Sequence, residues 1–264
     1  MHIKFYKALW GMTEGATLGE KFQLAREAGF DGIEADAAVA DAAQIRDAMA
    51  RHQMDFIAQL YVLEAEDFRS GLARAQSIGA SKIVCHTGRD KSSHDAGEDL
   101  FREIMAMEAD CEIPVAHETH RHRLLYSPWS TAHYLEAFPE LKITLDLSHW
   151  CVVCESMLED MPVLVDLAIE RAIHVHARVG YEQGPQVPNP AAPEYQRHLH
   201  HHERWWEDVL TKRRADGSEA ITFTSEFGPP NYMHCAPFTK EPAASHWAVN
   251  LWMKDHLKAK WGIR

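Results

Sequence analysis

Four apolar segments in the second half of the chain each end in side chains that can bind a divalent cation. They read PVAHETH, ITLDLSHW, AIHVHARV and AITFTSEFG, and they carry Glu118, Asp146 with His149, His176, and Glu226. Each segment is short and rich in β-branched residues, as buried parallel strands are, and each becomes ionisable at its C-terminal end. Ionisable groups buried together need partners, and a cation offsets the cost of removing them from water. The pattern therefore predicts a metal centre where these strands end.

The elements that must position these residues alternate along the chain. The predicted strands cover residues 3–10, 30–36, 55–62, 82–88, 114–120, 143–149, 172–179 and 220–227. The predicted helices cover residues 17–29, 41–53, 65–79, 93–110, 129–138, 160–171, 195–214 and 243–260. Thr17 and Asp41 are suitable N-caps, and Gly29 and Gly79 stand where helices should end.

Eight strand–helix units in 264 residues predict an α/β fold, a (β/α)8 TIM barrel in a single domain covering residues 1–264. Such a barrel needs about 250 residues. The alternative is a doubly wound open sheet. Against it, no glycine-rich phosphate fingerprint follows any strand, and the first strand-to-helix junction reads WGMTEGATLG rather than G-x-G-x-x-G.

Composition narrows the classes of partner. The chain has 27 basic and 39 acidic residues, a formal net charge of -12, which argues against nucleic acid and anionic membranes as partners because both require a basic surface. No apolar stretch reaches the roughly 20 residues of a membrane span, and the N-terminus lacks a signal-peptide pattern, so we expect a cytoplasmic protein. The five cysteines do not form a disulfide framework. Cys151 and Cys154 form a C-x-x-C without a second pair, and we interpret them as buried or incidental thiols.

The segment after the seventh strand is long and proline-rich, which predicts a functional loop at the C-terminal face of a barrel. It runs into four closely spaced histidines: His198, His200, His201 and His202. These residues could form a metal site or a solvated helical turn, and we favour the turn because no acidic or cysteine partners share the spacing. Gln183 and Gln186 are better placed to reach a polar substrate.

The order of the strand-end residues resembles the xylose-isomerase-like TIM barrel superfamily, which includes ketose 3-epimerases, hydroxypyruvate isomerases, inosose dehydratase and endonuclease IV. In that group a Glu ends strand five, an Asp-x-x-His strand six, a His strand seven and a Glu strand eight. The ETHR, LDLSH, HARV and SEFGPP motifs are also similar to sequences described only as sugar phosphate isomerase/epimerase.

The resemblance implies an isomerase or epimerase acting on a small sugar, sugar acid, sugar phosphate or keto acid. One divalent ion, Mn²⁺, Mg²⁺, Co²⁺ or Zn²⁺, would be bound by Glu118, Asp146, His176 and Glu226. Glu118 and Glu226 would also move protons through an enediolate. His174 points the same way as His176, but the order in relatives favours His176. His149 would contact a substrate oxygen.

Other strand ends complete the predicted substrate site. Trp10, Glu34, Gln59 and His86 end the first four strands, and we assign Trp10, Glu34 and His86 to substrate contact.

A basic cluster follows strand five. His117, His120, Arg121 and Arg123 surround Glu118, and Arg178 stands where many relatives carry an acid. Arginines at a barrel mouth favour a substrate carboxylate or phosphate, because a guanidinium binds these groups in bidentate fashion. The alternative is that the arginines neutralise local carboxylates.

Two other activities remain open on this scaffold. One is an inosose-type dehydratase, and the other a multinuclear hydrolase like endonuclease IV, which the acidic balance disfavours. Oligomeric state is a separate question. Four tryptophans of the predicted helices could form an apolar interface between identical chains or pack on the barrel, and we favour packing. They are Trp205, Trp206, Trp247 and Trp252.

Overall fold

Eight parallel strands close into a barrel, which confirms the predicted (β/α)8 fold. The computed structural model describes residues 1–263. The strands are β1 His2–Ala8, β2 Gly32–Asp36, β3 Asp55–Val62, β4 Lys82–Thr87, β5 Val115–Glu118, β6 Ile143–Leu145, β7 Ala172–His176 and β8 Ala220–Ser225. Each strand pairs with the next in sequence, and β1 pairs with β8 to close the ring.

Helices surround the barrel. They are α1 Leu18–Glu27, α2 Ala42–His52, α3 Ala65–Ile78, α4 His94–Glu108, α5 Pro128–Ala137, α6 Leu147–Cys154, α7 Pro162–Arg171, α8 Gln196–Ala215 and α9 His246–Lys260, with a 3-10 turn at Pro193–Tyr195. The structure confirms the predicted helix caps at Thr17 and Gly79. The Thr17 hydroxyl accepts from the Glu20 amide, and Gly79 ends α3 with a φ of +75°.

The prediction for strand six is wrong at its C-terminal end. The predicted strand ran to residue 149, but β6 ends at Leu145 and a short helix, α6, starts at Leu147. Asp146 is the N-cap of α6, because its Oδ1 accepts from the Ser148 amide at 3.0 Å. The first residues of α6 are buried on all sides, so the segment lacks the polar face that usually identifies a helix in sequence.

Other predicted strands also end earlier than expected. Strands one, seven and eight stop at Ala8, His176 and Ser225, so Trp10, Arg178 and Glu226 stand in the loops at the barrel mouth. Loops at this face carry the functional groups of TIM barrels.

The apolar core lies between the strands and the helices, whereas the barrel interior is largely polar. Tyr6, Ile57 and Val84 form a small apolar cluster of their own. Lys82 enters the interior from β4, where its Nζ donates to the Ile173 carbonyl at 2.6 Å and to Thr222 Oγ1 at 2.7 Å. Burial lowers the pKa of Lys82 to about 7.

The tryptophans of the outer helices pack against the barrel, as we expected. Trp206 is buried, and Trp205, Trp247 and Trp252 are partly buried against the core. All five cysteines are free. Among residues 1–263, no helix combines the length and the apolar character needed to cross a membrane.

Candidate active site

Four residues from four strand ends converge at the C-terminal face of the barrel. Glu118, Asp146, His176 and Glu226 each offer one ligand atom, and these four atoms lie within 4.8 Å of one another. All four residues are buried. The structure thus brings together the set that the sequence predicts as metal ligands, and we call it the quartet.

Within the quartet, His176 is oriented by a carboxylate that lies outside it. Its Nδ1 lies 2.9 Å from Glu226 Oε2 and 3.4 Å from Glu118 Oε1, while its Nε2 donates to Glu34 Oε1 at 2.9 Å. A histidine held in this way on one nitrogen presents the other to a metal in metalloproteins. The second oxygen of Glu34 accepts from His174 Nε2 at 3.0 Å.

These contacts place Glu34 differently from the sequence prediction. We expected Glu34 to contact substrate, and its side chain does border a small cavity of about 160 Å³. Both of its carboxylate oxygens are nevertheless engaged by protein donors, Oε2 also by Thr224. Both ring nitrogens of His174 are engaged, Nε2 with Glu34 and Nδ1 with Thr222 Oγ1 at 2.6 Å, so His176 is the histidine that faces the quartet.

Several buried atoms of the quartet have no hydrogen-bond partner among residues 1–263. They are both carboxylate oxygens of Glu118, Oε2 of Glu226 and Nδ1 of His176. The carboxylate oxygens face imidazole nitrogens of His86 and His176 in contacts that lack hydrogen-bond geometry, whereas buried polar atoms are normally paired. Three carboxylates and one imidazole form a donor set that hard and borderline divalent cations accept. The quartet therefore fits a divalent cation.

The guanidinium of Arg178 is buried against the same carboxylates. Its Nη2 pairs with Asp146 Oδ2, its Nη1 lies 3.5 Å from Glu226 Oε2, and its Nε donates to Ser148 Oγ at 3.0 Å. Arg178 also lines a cavity above the quartet, but its charge is used within the protein. Of the two interpretations offered by the sequence, the arrangement favours neutralisation of local carboxylates for this arginine.

Proton affinities in the quartet differ sharply between residues. Burial raises the pKa of Asp146 to about 6, although Arg178 opposes that shift. For Glu118, burial acts in the same direction, but His86 and His176 outweigh it and hold the pKa well below its usual range. Burial lowers the pKa of His176, yet Glu226 and Glu34 outweigh burial and raise it well above the ordinary value.

The cavity above the quartet has a volume of about 220 Å³. It is lined by Trp10, Gln59, Tyr61, His86, His120, Arg123, Arg178, Glu226 and Tyr232. Glu226 is the quartet member that borders it, whereas Glu118 lies against His86, which also binds Gln59 Nε2 at 2.9 Å. Pockets for drug-sized ligands have about 300–1,000 Å³, so this one suits a smaller molecule.

Three imidazoles, those of His86, His120 and His149, stand side by side near the quartet. The His120 ring lies 4.6 Å from that of His86 and 3.9 Å from that of His149. His149 is fully buried on α6, with its Nε2 2.6 Å from Arg178 Nη2. His86 and His120 line the cavity, so both can reach a substrate bound there. His149 does not line the cavity, although we predicted that it contacts a substrate oxygen.

Two tyrosines of the cavity are absent from the sequence prediction. Tyr61 follows Gln59 by two residues on β3, so strand periodicity could have placed it on the same face. Tyr232 lies in the irregular loop between β8 and α9, where no periodicity exists. Its ring is covered by two guanidinium groups, those of Arg121 at 4.9 Å and Arg178 at 5.1 Å.

Gln186 stabilises the loop after β8. The residue is fully buried, its Oε1 accepts from the Gly228 amide at 2.6 Å, and its Nε2 donates to the Gly228 carbonyl at 3.3 Å. We predicted that Gln186 binds substrate, but its amide group is occupied by this contact. Gln183 lies outside the residues that line the cavity.

The histidines at the start of α8 have separate partners. His198 Nε2 lies 3.0 Å from Glu182 Oε2, His201 Nε2 lies 3.9 Å from Glu159 Oε1, and His202 Nε2 accepts from the Gly180 amide at 3.0 Å. Within the described part of the chain, these histidines do not belong to any group that could hold a metal. The run is helical, as the favoured interpretation has it, but it is not solvated throughout, because His202 is fully buried.

The fold and the strand-end residues can be compared with known proteins. A sugar phosphate isomerase/epimerase from Parabacteroides distasonis has a TM-score of 0.64 at 10% identity, over 99% of this chain and 96% of that one. Endonuclease IV from Thermus thermophilus has a TM-score of 0.62 at 14% identity, covering 99% of this chain and 100% of that one. The probable 3-DHS dehydratase from Bacillus anthracis has a TM-score of 0.61 at 15% identity, covering 97% and 98%.

These similarities show a shared fold and not a shared activity, because one fold hosts many activities. No curated protein sequence matches the chain significantly. The family described as xylose isomerase-like TIM barrel matches residues 22–211, well over half of the chain. The chain belongs to the xylose isomerase-like TIM barrel family.

Proposed function

We propose that this protein is a divalent-metal-dependent isomerase or epimerase of a small sugar, sugar acid or sugar phosphate. The observation that carries the proposal is the quartet of buried ligand atoms beneath a small polar cavity. Family membership supports it, because the family includes isomerases and epimerases.

The quartet would bind the cation, with His176 oriented by Glu34. Mn²⁺, Mg²⁺, Co²⁺ or Zn²⁺ bound there would act as a Lewis acid and polarise a substrate carbonyl. Arg178 and one divalent cation together would balance the three carboxylates of the quartet.

The proton-transfer groups are the two glutamates. Glu226 borders the cavity and is placed to remove a proton from a carbon next to the substrate carbonyl, giving an enediolate. Glu118, which contacts His86, would deliver a solvent-derived proton to the opposite face, while Glu226 passes the proton it removed to solvent, so that the proton count balances. His86 and His120, on the cavity wall, would orient substrate hydroxyl groups, and Trp10 would pack against the sugar.

A second candidate, a multinuclear hydrolase, is favoured by one observation. The His86–Glu118–His120 and Glu34–His174–His176 groups also bring ligand atoms within 4.8 Å, and they share Glu118 and His176 with the quartet. A third candidate is a dehydratase, which would remove the same proton and then expel water.

Elemental mass spectrometry of the purified protein tests the metal site. We expect about one divalent ion per chain, lost in Glu118→Gln and Asp146→Asn because each removes a charged ligand. Glu66→Gln, on the exposed surface of α3, is the matched control and should retain the ion. Two or three ions per chain would favour the hydrolase, and no ion after reconstitution with each metal would contradict the proposal.

Activity then separates isomerase from dehydratase. Candidate sugars, sugar acids and sugar phosphates would be incubated in deuterated water with the metal-loaded protein. We expect carbon-bound deuterium in a product of unchanged carbon and oxygen content, and its loss in Glu226→Gln. A product lighter by one water would instead identify a dehydratase.

A further inference from the structure

Two arginines at the barrel mouth have no ion-pair partner among residues 1–263: Arg121 and Arg123. Both belong to the loop after β5. The other arginine of the cavity, Arg178, is paired with Asp146 and Glu226. The mouth therefore carries two positive charges that the protein itself does not neutralise.

Arg123 lines the cavity and is only half-exposed. Its Nε is buried without a hydrogen-bond partner in the described chain, and its Nη1 reaches the Gly88 carbonyl at 3.5 Å, the limit of a hydrogen bond. Its guanidinium lies 5.8 Å from the Tyr61 ring, near the outer limit of a cation–π contact. These contacts are weak compensation for a partly desolvated charge.

Nearby acids have other partners. Asp90 pairs with His122 at 3.3 Å on the surface, and Glu118 contacts His176 within the quartet and His86 outside it. A cation in the quartet would further reduce the negative field that reaches Arg123. An anionic ligand would supply the missing partner, and the planar guanidinium would bind it in bidentate fashion.

Arg121 is held at the same mouth by the Tyr232 ring, which lines the cavity. This stacking already restricts the rotamers of the long Arg121 side chain. Binding a ligand would therefore cost less conformational entropy. The quartet at the base of the cavity and the arginines at its mouth give the site two chemically different ends.

Resting on the function proposed above, we propose that Arg123, assisted by Arg121, forms an oxyanion subsite, so that the substrate is an acidic carbohydrate with its carboxylate or phosphate at the mouth and its reacting carbons near the quartet. The cavity of about 220 Å³ limits the substrate to a small one. Neutral sugars lack the group that these arginines would bind.

Titration calorimetry of inorganic phosphate and of malonate into protein stripped of divalent cations tests the subsite directly. Removal of the divalent cations prevents the anions from binding directly to a metal. Added chloride keeps the ionic strength constant, so that screening is the same in every titration. We expect saturable binding of at least one anion at one site per chain. Tighter phosphate binding would indicate a sugar phosphate, and tighter malonate binding a sugar acid.

Variants decide whether Arg123 is responsible. Arg123→Gln should weaken binding at least tenfold, and Arg123→Lys should have an intermediate effect because lysine keeps the charge but not the bidentate fork. Arg121→Gln should weaken binding less. Arg69→Gln removes the same charge from the exposed face of α3 and should leave binding unchanged. Circular dichroism melts would verify that each variant is folded.

The proposal is overturned if neither anion binds saturably, or if Arg123→Gln and Arg69→Gln have the same effect. Metal content is measured in the same samples before stripping. This measurement tests the catalytic proposal independently of the anion subsite. Arg123-dependent anion binding in a protein that never holds metal would contradict the proposed reaction and leave the subsite standing.

Discussion

At the scale of single residues, Arg178 and Glu34 show how buried groups of opposite charge are paired in this site. Arg178 is buried between Asp146 and Glu226, and Glu34 accepts hydrogen bonds from both histidines of β7. Both residues act on other side chains, since Arg178 pairs with the carboxylates and Glu34 orients His176.

We predict that Arg178→Leu destabilises the metal-free protein by about 3–5 kcal/mol, because it leaves a buried carboxylate without its partner. Added Mn²⁺ or Mg²⁺ should recover part of the loss, since a ligand that binds only the folded state stabilises it. Urea denaturation with and without metal measures both effects.

The exposed pair of Arg197 and Glu159, 3.0 Å apart, provides the control. Arg197→Leu should cost less than about 1 kcal/mol, as expected for a surface ion pair. Equal losses in the two variants would show that Arg178 is not the main counter-charge of the quartet.

At the scale of elements, the loop after β7 packs tightly on the first turn of α6. A Cβ at Gly180 would lie 2.7 Å from Ser148 Cα and 2.8 Å from its carbonyl oxygen. Because these neighbours are backbone atoms next to Asp146, they cannot move away as a flexible side chain would.

We therefore expect Gly180→Ala to destabilise the protein by about 1–3 kcal/mol through overpacking. A Cβ at Gly19, on α1, would meet no atom within 4 Å, so Gly19→Ala should stabilise the protein by about 0.5–1 kcal/mol through helix propensity. Urea denaturation of both variants is the measurement. If Gly180→Ala were neutral, the loop would be free to shift away from α6.

At the scale of the whole molecule, the closed barrel buries a column of ionisable groups. Lys82, in the interior, has a pKa lowered to about 7 by burial, with Glu34 opposing the shift. An unfolded lysine has a pKa near 10.4. Between pH 7 and pH 10 the unfolded chain therefore holds a proton that the folded one does not, and Lys82 makes stability rise with pH.

We predict that the rise in the free energy of unfolding between pH 7 and pH 9 is smaller in Lys82→Met than in the wild type. Urea denaturation at pH 7, 8 and 9 gives the three values. Lys258→Met, on the last turn of α9, serves as the control for loss of a lysine and should keep the wild-type slope. An unchanged slope in Lys82→Met would show that this amine stays protonated inside the barrel.

Much of this molecule follows from local sequence. The alternation of β-branched runs with capped helical segments predicts all eight units. The change from apolar to ionisable residues predicts Glu118, Asp146 with His149, His176 and Glu226 as candidates, from which the family resemblance selects the four ligands. Parallel strands in a closed barrel place their C-terminal ends on one face, so order along the chain translates directly into proximity.

The partners of the side chains were decided by tertiary structure. The Arg178–Asp146 pair, the Gln186–Gly228 clamp and the position of Tyr232 over the cavity join segments far apart in sequence, through loops that have no periodicity. The sequence by itself determined the barrel and the residues at its strand ends, because regular elements repeat with a known period. Only the folded chain decided which charges neutralise each other and which remain for a ligand, because that depends on loop paths and burial.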